Sequence, residues 1–182
     1  MEINRRVKEH MDTIQKTDFA ILLNMADRLV RALNDEKKII IFGNGGSAAD
    51  AQHFAAELVG KYKKNRKALP AIAVTTNSST ITAIGNDYGY EETFKRSVEA
   101  LAEKGDVLIG ISTSGRSKNV IKALTKGKEI GCITLGFTGK QTTEMDKWCD
   151  LAFKVSSENT PIIQEVHITA LHILCELIED QI

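Results

Sequence analysis

Apolar residues recur at helical spacing through the first part of the chain (Met11, Ile14, Phe19, Leu22, Leu23, Met25, Ala26, Leu29, Val30), with charges between them. That period predicts helix from about Asn4 to Leu33, broken near Lys16 to Asp18. Beyond it the pattern changes to short apolar runs separated by helical stretches: KKIIIF, AIAV at 71–74, DVLIGIS at 106–112, CITLGFT at 132–138 and CDLAFKV at 149–155. Uniformly apolar, β-branched runs belong to strands buried on both faces, and right-handed crossovers put helices on each side of such a parallel sheet. The expected fold is therefore α/β, a three-layer sandwich with a five-stranded parallel sheet and added N-terminal helices. Those helices either cover one sheet face or pack against another subunit. After Thr160 and Pro161, read as a cap and first helical residue, one long helix, IIQEVHITALHILCELIED, closes the chain.

A length of 182 residues suits one domain with a substantial core, and no linker, repeat or low-complexity segment divides it. Lys plus Arg and Asp plus Glu both total 24, so no basic excess points to a partner with many phosphates. A small-molecule partner is expected instead. The start, MEINRRVKEHMD, lacks the apolar core of a secretory signal, and no apolar run approaches the roughly 18 residues of a membrane span. The expectation is a soluble cytoplasmic protein. Cys132, Cys149 and Cys175, without a CxxC pair, read as reduced and mostly buried thiols.

In open parallel sheets, ligands bind beyond the carboxyl ends of the strands, so the turns there carry the candidate chemistry. After KKIIIF comes Gly43-Asn44-Gly45-Gly46-Ser47, whose glycines permit positive φ and a close backbone approach to a ligand. Gly43, Gly45 and Ala48 fit the GxGxxA form of a dinucleotide fingerprint, but the second strand ends Val74-Thr75-Thr76-Asn77 without the acid that would hold a ribose. After DVLIGIS comes Ser112-Thr113-Ser114-Gly115-Arg116-Ser117, then a helix from near Lys118. Four hydroxyls at a helix start can cradle a phosphate without a lysine, and the P-loop pattern GxxxxGK[ST] is absent. Helix capping is the alternative, and it needs only one hydroxyl.

His53 and Glu57, four apart on the helix after the first turn, share a face and suit either a common ligand or a surface hydrogen bond. On the last helix, Gln164 and His172 lie about 80° apart around the axis with about 12 Å of rise between them. They straddle a ligand or serve it from different chains, while His167 points elsewhere. Ile84 to Gly89 reads as a sharp loop, where Asp87 holds a sugar hydroxyl or makes the turn. Lys61, Lys63, Lys64, Arg66 and Lys67 read as a solvated loop that would also attract a phosphorylated substrate.

Four stretches, GNGGSAADAQHFAAELVGKY, AIGNDYGYEETF, LIGISTSGRSKNVIKAL and IIQEVHITALHIL, in this order resemble the sugar-isomerase (SIS) family. Within it they closely resemble the phosphoheptose isomerases, over nearly the whole chain. The resemblance implies a single flavodoxin-like SIS domain over 1–182, with 1–35 as a helical extension packing on the domain and on neighbouring subunits. It implies a homotetramer with active sites at subunit contacts and one zinc ion per subunit. The implied reaction converts sedoheptulose 7-phosphate to D-glycero-D-manno-heptose 7-phosphate through an enediol, the first step toward ADP- or GDP-heptose precursors. Ser112, Thr113, Ser114 and Ser117 match the phosphate site, with Asn44, Gly45, Gly46 and Ser47 beside it. Asn86 and Asp87 match sugar contacts, and Glu57 and Gln164 also match substrate-binding positions. His53, Glu57, Gln164 and His172 match the zinc positions, and Glu57 and His172 the acid–base pair, whereas His167 matches no role. Lys61 stands where the family's arginine is expected; it keeps the charge and loses the planar fork. The rival is a non-catalytic SIS tetramer of the replication-initiator-associating type, acting through protein contacts. His172 together with His53 and Glu57 favours the enzyme. A regulatory sugar-phosphate sensor would carry an added DNA-binding or CBS module, for which the chain has no room.

Overall fold

Burial on both faces makes strands of the apolar runs. In the computed structural model of the chain, which describes residues 3–182, β1 (Ile39–Gly43) and β3 (Val107–Ile111) are buried throughout. β4 (Ile133–Thr138) is buried beyond its first residue, while β2 (Ala71–Ala73) and β5 (Leu151–Lys154) form the shorter, less covered edges. All neighbours pair in parallel, in the order β2-β1-β3-β4-β5, which is the flavodoxin-like order. The sheet is five-stranded and parallel, as expected. Its register sets Gly43 opposite Ile111, so the turns after β1 and β3 leave the sheet side by side.

Among the described residues, seven α-helices complete the layers: α1 (Ile3–Lys16), α2 (Ile21–Asn34), α3 (Gly46–Val59), α4 (Ser78–Tyr88), α5 (Thr93–Leu101), α6 (Lys118–Ile130) and α7 (Thr160–Glu179). Strand alternation sorts the core. Ile39, Ile41, Ile109 and Phe137 pack with Leu29, Phe54 and Val166 from α2, α3 and α7. Ile40, Phe42 and Leu108 face the other way, against Phe94, Val98, Val120 and Leu124 from α5 and α6. The break expected near Lys16 to Asp18 is a turn in which the Asp18 carboxylate accepts the Ala20 N–H at 2.8 Å.

The N-terminal helices divide the two roles the sequence leaves open. α2 covers the sheet, whereas α1 buries only Thr13 and leaves Ile3, Val7 and Met11 75%, 52% and 55% exposed along one stripe. α7 corrects the expectation about apolar runs: by length and composition alone it would suffice to cross a membrane. Half of that window is buried, because the helix lies against the sheet core, and core helices share this composition.

Ile84 to Gly89 also differs from expectation. The helix continues through Asn86 and Asp87 to Tyr88, and the chain turns only at Gly89, with φ +91°. Asn77 caps the start by accepting the Thr80 N–H at 3.0 Å, and a glycine at positive φ supplies the stop. The three cysteines are free, with Cys132 and Cys175 buried and Cys149 half-buried.

Candidate active site

The first turn is shaped by what its glycines leave out. Gly45 sits at φ +57°, and a Cβ on Gly43 would meet the Ile111 carbonyl oxygen at 2.9 Å. At Gly46 a Cβ would fall on the Gln164 side chain, 2.6 Å from Oε1, so glycine lets this residue of α7 lie across the first turn of α3. Asn44 is tied down by a reciprocal amide pair. Its Nδ2 donates to Asn119 Oδ1 and Asn119 Nδ2 donates to its Oδ1, both at 2.9 Å, and the Tyr90 hydroxyl donates to the same oxygen at 2.8 Å. Asn119 belongs to α6, so this pair fixes the two turns to each other.

In the second turn the hydroxyls gather instead of capping. Ser117 is the N-cap of α6, yet its side chain makes no capping hydrogen bond; its Oγ lies 2.9 Å from Ser112 Oγ. Ser114 Oγ lies 3.5 Å from the same Ser112 oxygen and accepts the Arg116 N–H at 3.2 Å. The Asn119 amide oxygen accepts the Val120 N–H at 3.0 Å, but the cap residue itself leaves its hydroxyl among the converging ones, an arrangement suited to an anion. A cavity of about 450 Å³ touches Thr113, Ser114 and Thr160, and another of about 440 Å³ touches Asn44, Ser117 and Asn119.

α3 and α7 run side by side in the same direction, with Gln164 against Gly46 and His172 against His53. His53 Nε2 and His172 Nε2 are 2.9 Å apart, so one nitrogen carries the shared proton and the other accepts it. Glu57 Oε1 lies 3.4 Å from the same His53 nitrogen. All three side chains come from one chain, and Gln164 and His172 flank α3 along its length. Two imidazoles and a carboxylate are donors of the kind that hold zinc, with an amide oxygen as a further ligand. The two Nε2 atoms stand closer than the roughly 3.3 Å expected between ligands on a tetrahedral zinc, so they must part slightly to admit an ion. Among the described residues no group of three or more His, Cys, Asp or Glu side chains is already spaced to hold a metal ion.

Other expected residues lie apart from this cluster. Asn86 and Asp87 are exposed at the end of α4, where Asn86 Nδ2 donates to Asp87 Oδ1 at 2.8 Å. His167 is fully buried and its Nε2 donates to the Thr138 carbonyl at 3.2 Å. Burial pushes this imidazole down to about 4 despite that bond, so it stays neutral. The basic loop is not simply solvated. Glu179 accepts the backbone N–H groups of Tyr62, Lys63 and Lys64, each at 2.9 Å, and Arg66 Nε donates to it at 3.0 Å. Burial pushes the Glu179 carboxyl up, but these three N–H donors and the Arg66 charge outweigh it and bring it to about 2.

Sequence reasoning missed Asn119, Tyr90 and Asp50. Asp50 shares the α3 face of Gly46, His53 and Glu57, a placement that helical spacing alone would have revealed. One of its carboxylate oxygens is buried without a partner, and burial raises the group to about 6 against the opposing pull of His53.

The family described as SIS domain matches residues 3–139. The phosphoheptose isomerase of a Nitratiruptor species is 51% identical over 181 residues, covering 98% of this chain and 97% of its own. The structure of phosphoheptose isomerase GmhA from Neisseria gonorrhoeae matches with a TM-score of 0.92 at 38% identity, covering 98% of this chain and 97% of that one. The structure of a phosphoheptose isomerase from Francisella tularensis matches at 0.91 and 32% identity, over 98% and 96%. Strand order, both turns and near end-to-end similarity agree: the chain belongs to the SIS-domain family, among its phosphoheptose isomerases.

Proposed function

We propose that the chain is an aldose–ketose isomerase that converts sedoheptulose 7-phosphate to D-glycero-D-manno-heptose 7-phosphate. The observation that carries this reading is the meeting of His172, from α7, with His53 and Glu57 of the helix that begins at the glycine turn. The hydroxyl turn at Ser112 to Ser117 anchors the phosphate, and its binding energy positions the reacting end of the sugar. Moving a proton between adjacent carbons through an enediol requires a base for carbon and a proton carrier for the two oxygens. Glu57 takes the carbon-bound proton and returns it to the neighbouring carbon. His172 moves protons between the oxygens, with His53 as its hydrogen-bonded neighbour. Asn86 and Asp87, exposed on α4, are proposed as sugar contacts made in the assembled protein.

His53, Glu57, Gln164 and His172 are the residues that would hold zinc. When bound, the ion supplies a Lewis acid for the substrate carbonyl. A homotetramer is part of the proposal, supported by the unburied apolar stripe on α1. The side chains that the chemistry needs are present, which favours an enzyme over a SIS protein acting only through protein contacts.

The test is to incubate purified protein with sedoheptulose 7-phosphate, both metal-replete and after chelation, and to look for the aldoheptose phosphate. Product in the metal-replete sample is expected. Absence of product in both samples would overturn the reading in favour of a binding protein.

A further inference from the structure

Only one ring nitrogen of His172 is tied. Nε2 faces His53, and no hydrogen bond to Nδ1 is found among the described residues. A functional imidazole is commonly oriented by a hydrogen bond to its far nitrogen. Here two aromatic rings contact the imidazole instead. The His53 ring meets His172 edge-on, with centroids 5.0 Å apart and planes at 60°. The Tyr62 ring stacks on it at 5.4 Å with planes only 26° apart.

Tyr62 is itself held from behind. Its N–H donates to Glu179 near the end of α7, and Glu179 also binds the next two backbone N–H groups and Arg66. Arg66 in turn donates to the carbonyls of Leu58 and Glu57 at 2.8 and 2.9 Å. The loop is therefore pinned to the last turns of both α3 and α7, and the ring it carries has a fixed place. The Lys63 ammonium, 5.2 Å from the Tyr62 centroid, adds a cation to the same ring.

We propose that Tyr62 is a positioning residue whose ring holds the His172 imidazole in the plane needed for proton transfer at the substrate oxygens. The proposal rests on the isomerase reading. It requires the aromatic face and not the hydroxyl, so Tyr62→Phe and Tyr62→Leu should separate.

Kinetics with sedoheptulose 7-phosphate provide the first arm. Tyr62→Leu is expected to lower kcat about tenfold with KM changed less than about twofold, while Tyr62→Phe stays within about twofold of the parent in both. The second arm needs neither metal nor substrate: the His172 Hε1 resonance, identified by its loss in His172→Gln, should move in Tyr62→Leu and keep its position in Tyr62→Phe. Unchanged kcat in Tyr62→Leu, equal damage in both Tyr62 variants, or an unmoved resonance in folded Tyr62→Leu would each overturn the proposal. A parent protein without turnover defeats the isomerase reading, and the resonance then decides alone whether Tyr62 sets the imidazole plane.

Discussion

Glu57 has its carboxylate 3.4 Å from His53 and its main-chain carbonyl held by Arg66, so the backbone is fixed while the carboxylate faces the imidazole. Replacing it by glutamine keeps the shape and removes the base. Glu57→Gln should lower turnover by about a hundredfold or more while sedoheptulose 7-phosphate still binds, measured by calorimetry beside kinetics. Near-parental turnover would remove Glu57 as the base. Spacing along the chain brings together the candidates whose geometry is local, whereas Gln164 and His172 could be named from the last helix without showing what they meet. Ser112, Ser114 and Ser117 form one turn, and His53 and Glu57 one helical face. Tyr62 and Asn119 were not legible, because each acts through a partner far away in the chain, His172 or Asn44. Asn86 and Asp87 were misread as a loop because their turn-forming character is local, whereas the glycine that ends the helix comes at 89.

Among the elements, the strands were the most legible, since IIIF and VLIGI are short, rich in β-branched residues and apolar on both faces, as strands inside a parallel sheet are. The seam between α3 and α7 was not legible, because a pattern of apolar positions gives the buried side of a helix and not its direction or neighbour. Glu179 closes that seam, and its lowered pKa makes a statement about pH. A carboxyl held at about 2 in the fold, against 4.5 ordinarily, contributes stability above about 4.5 that is lost as pH falls toward 2. Glu179→Gln should therefore unfold at a lower temperature than the parent at pH 7, and the gap should close between about pH 4.5 and 2. Thermal melts across that range provide the check; a constant gap would separate Glu179 from the clamp.

For the whole molecule, the parallel order brings the β1 and β3 ends together and makes one crevice of two turns distant in sequence. The exposed stripe of Ile3, Val7 and Met11 extends the argument to assembly. Light scattering is expected to give a tetramer for the parent and a smaller species for Val7→Asp combined with Met11→Asp. A monomeric parent would dismiss the assembly, and an intact tetramer in the variant would clear α1 of a role in it. The SIS-domain match ends at residue 139, short of α7, yet α7 supplies Gln164 and His172. The last helix thus completes a reactive set that α3 begins: a relative with another side chain in place of the final imidazole could still seat a phosphorylated sugar on the two turns and fail to transform it.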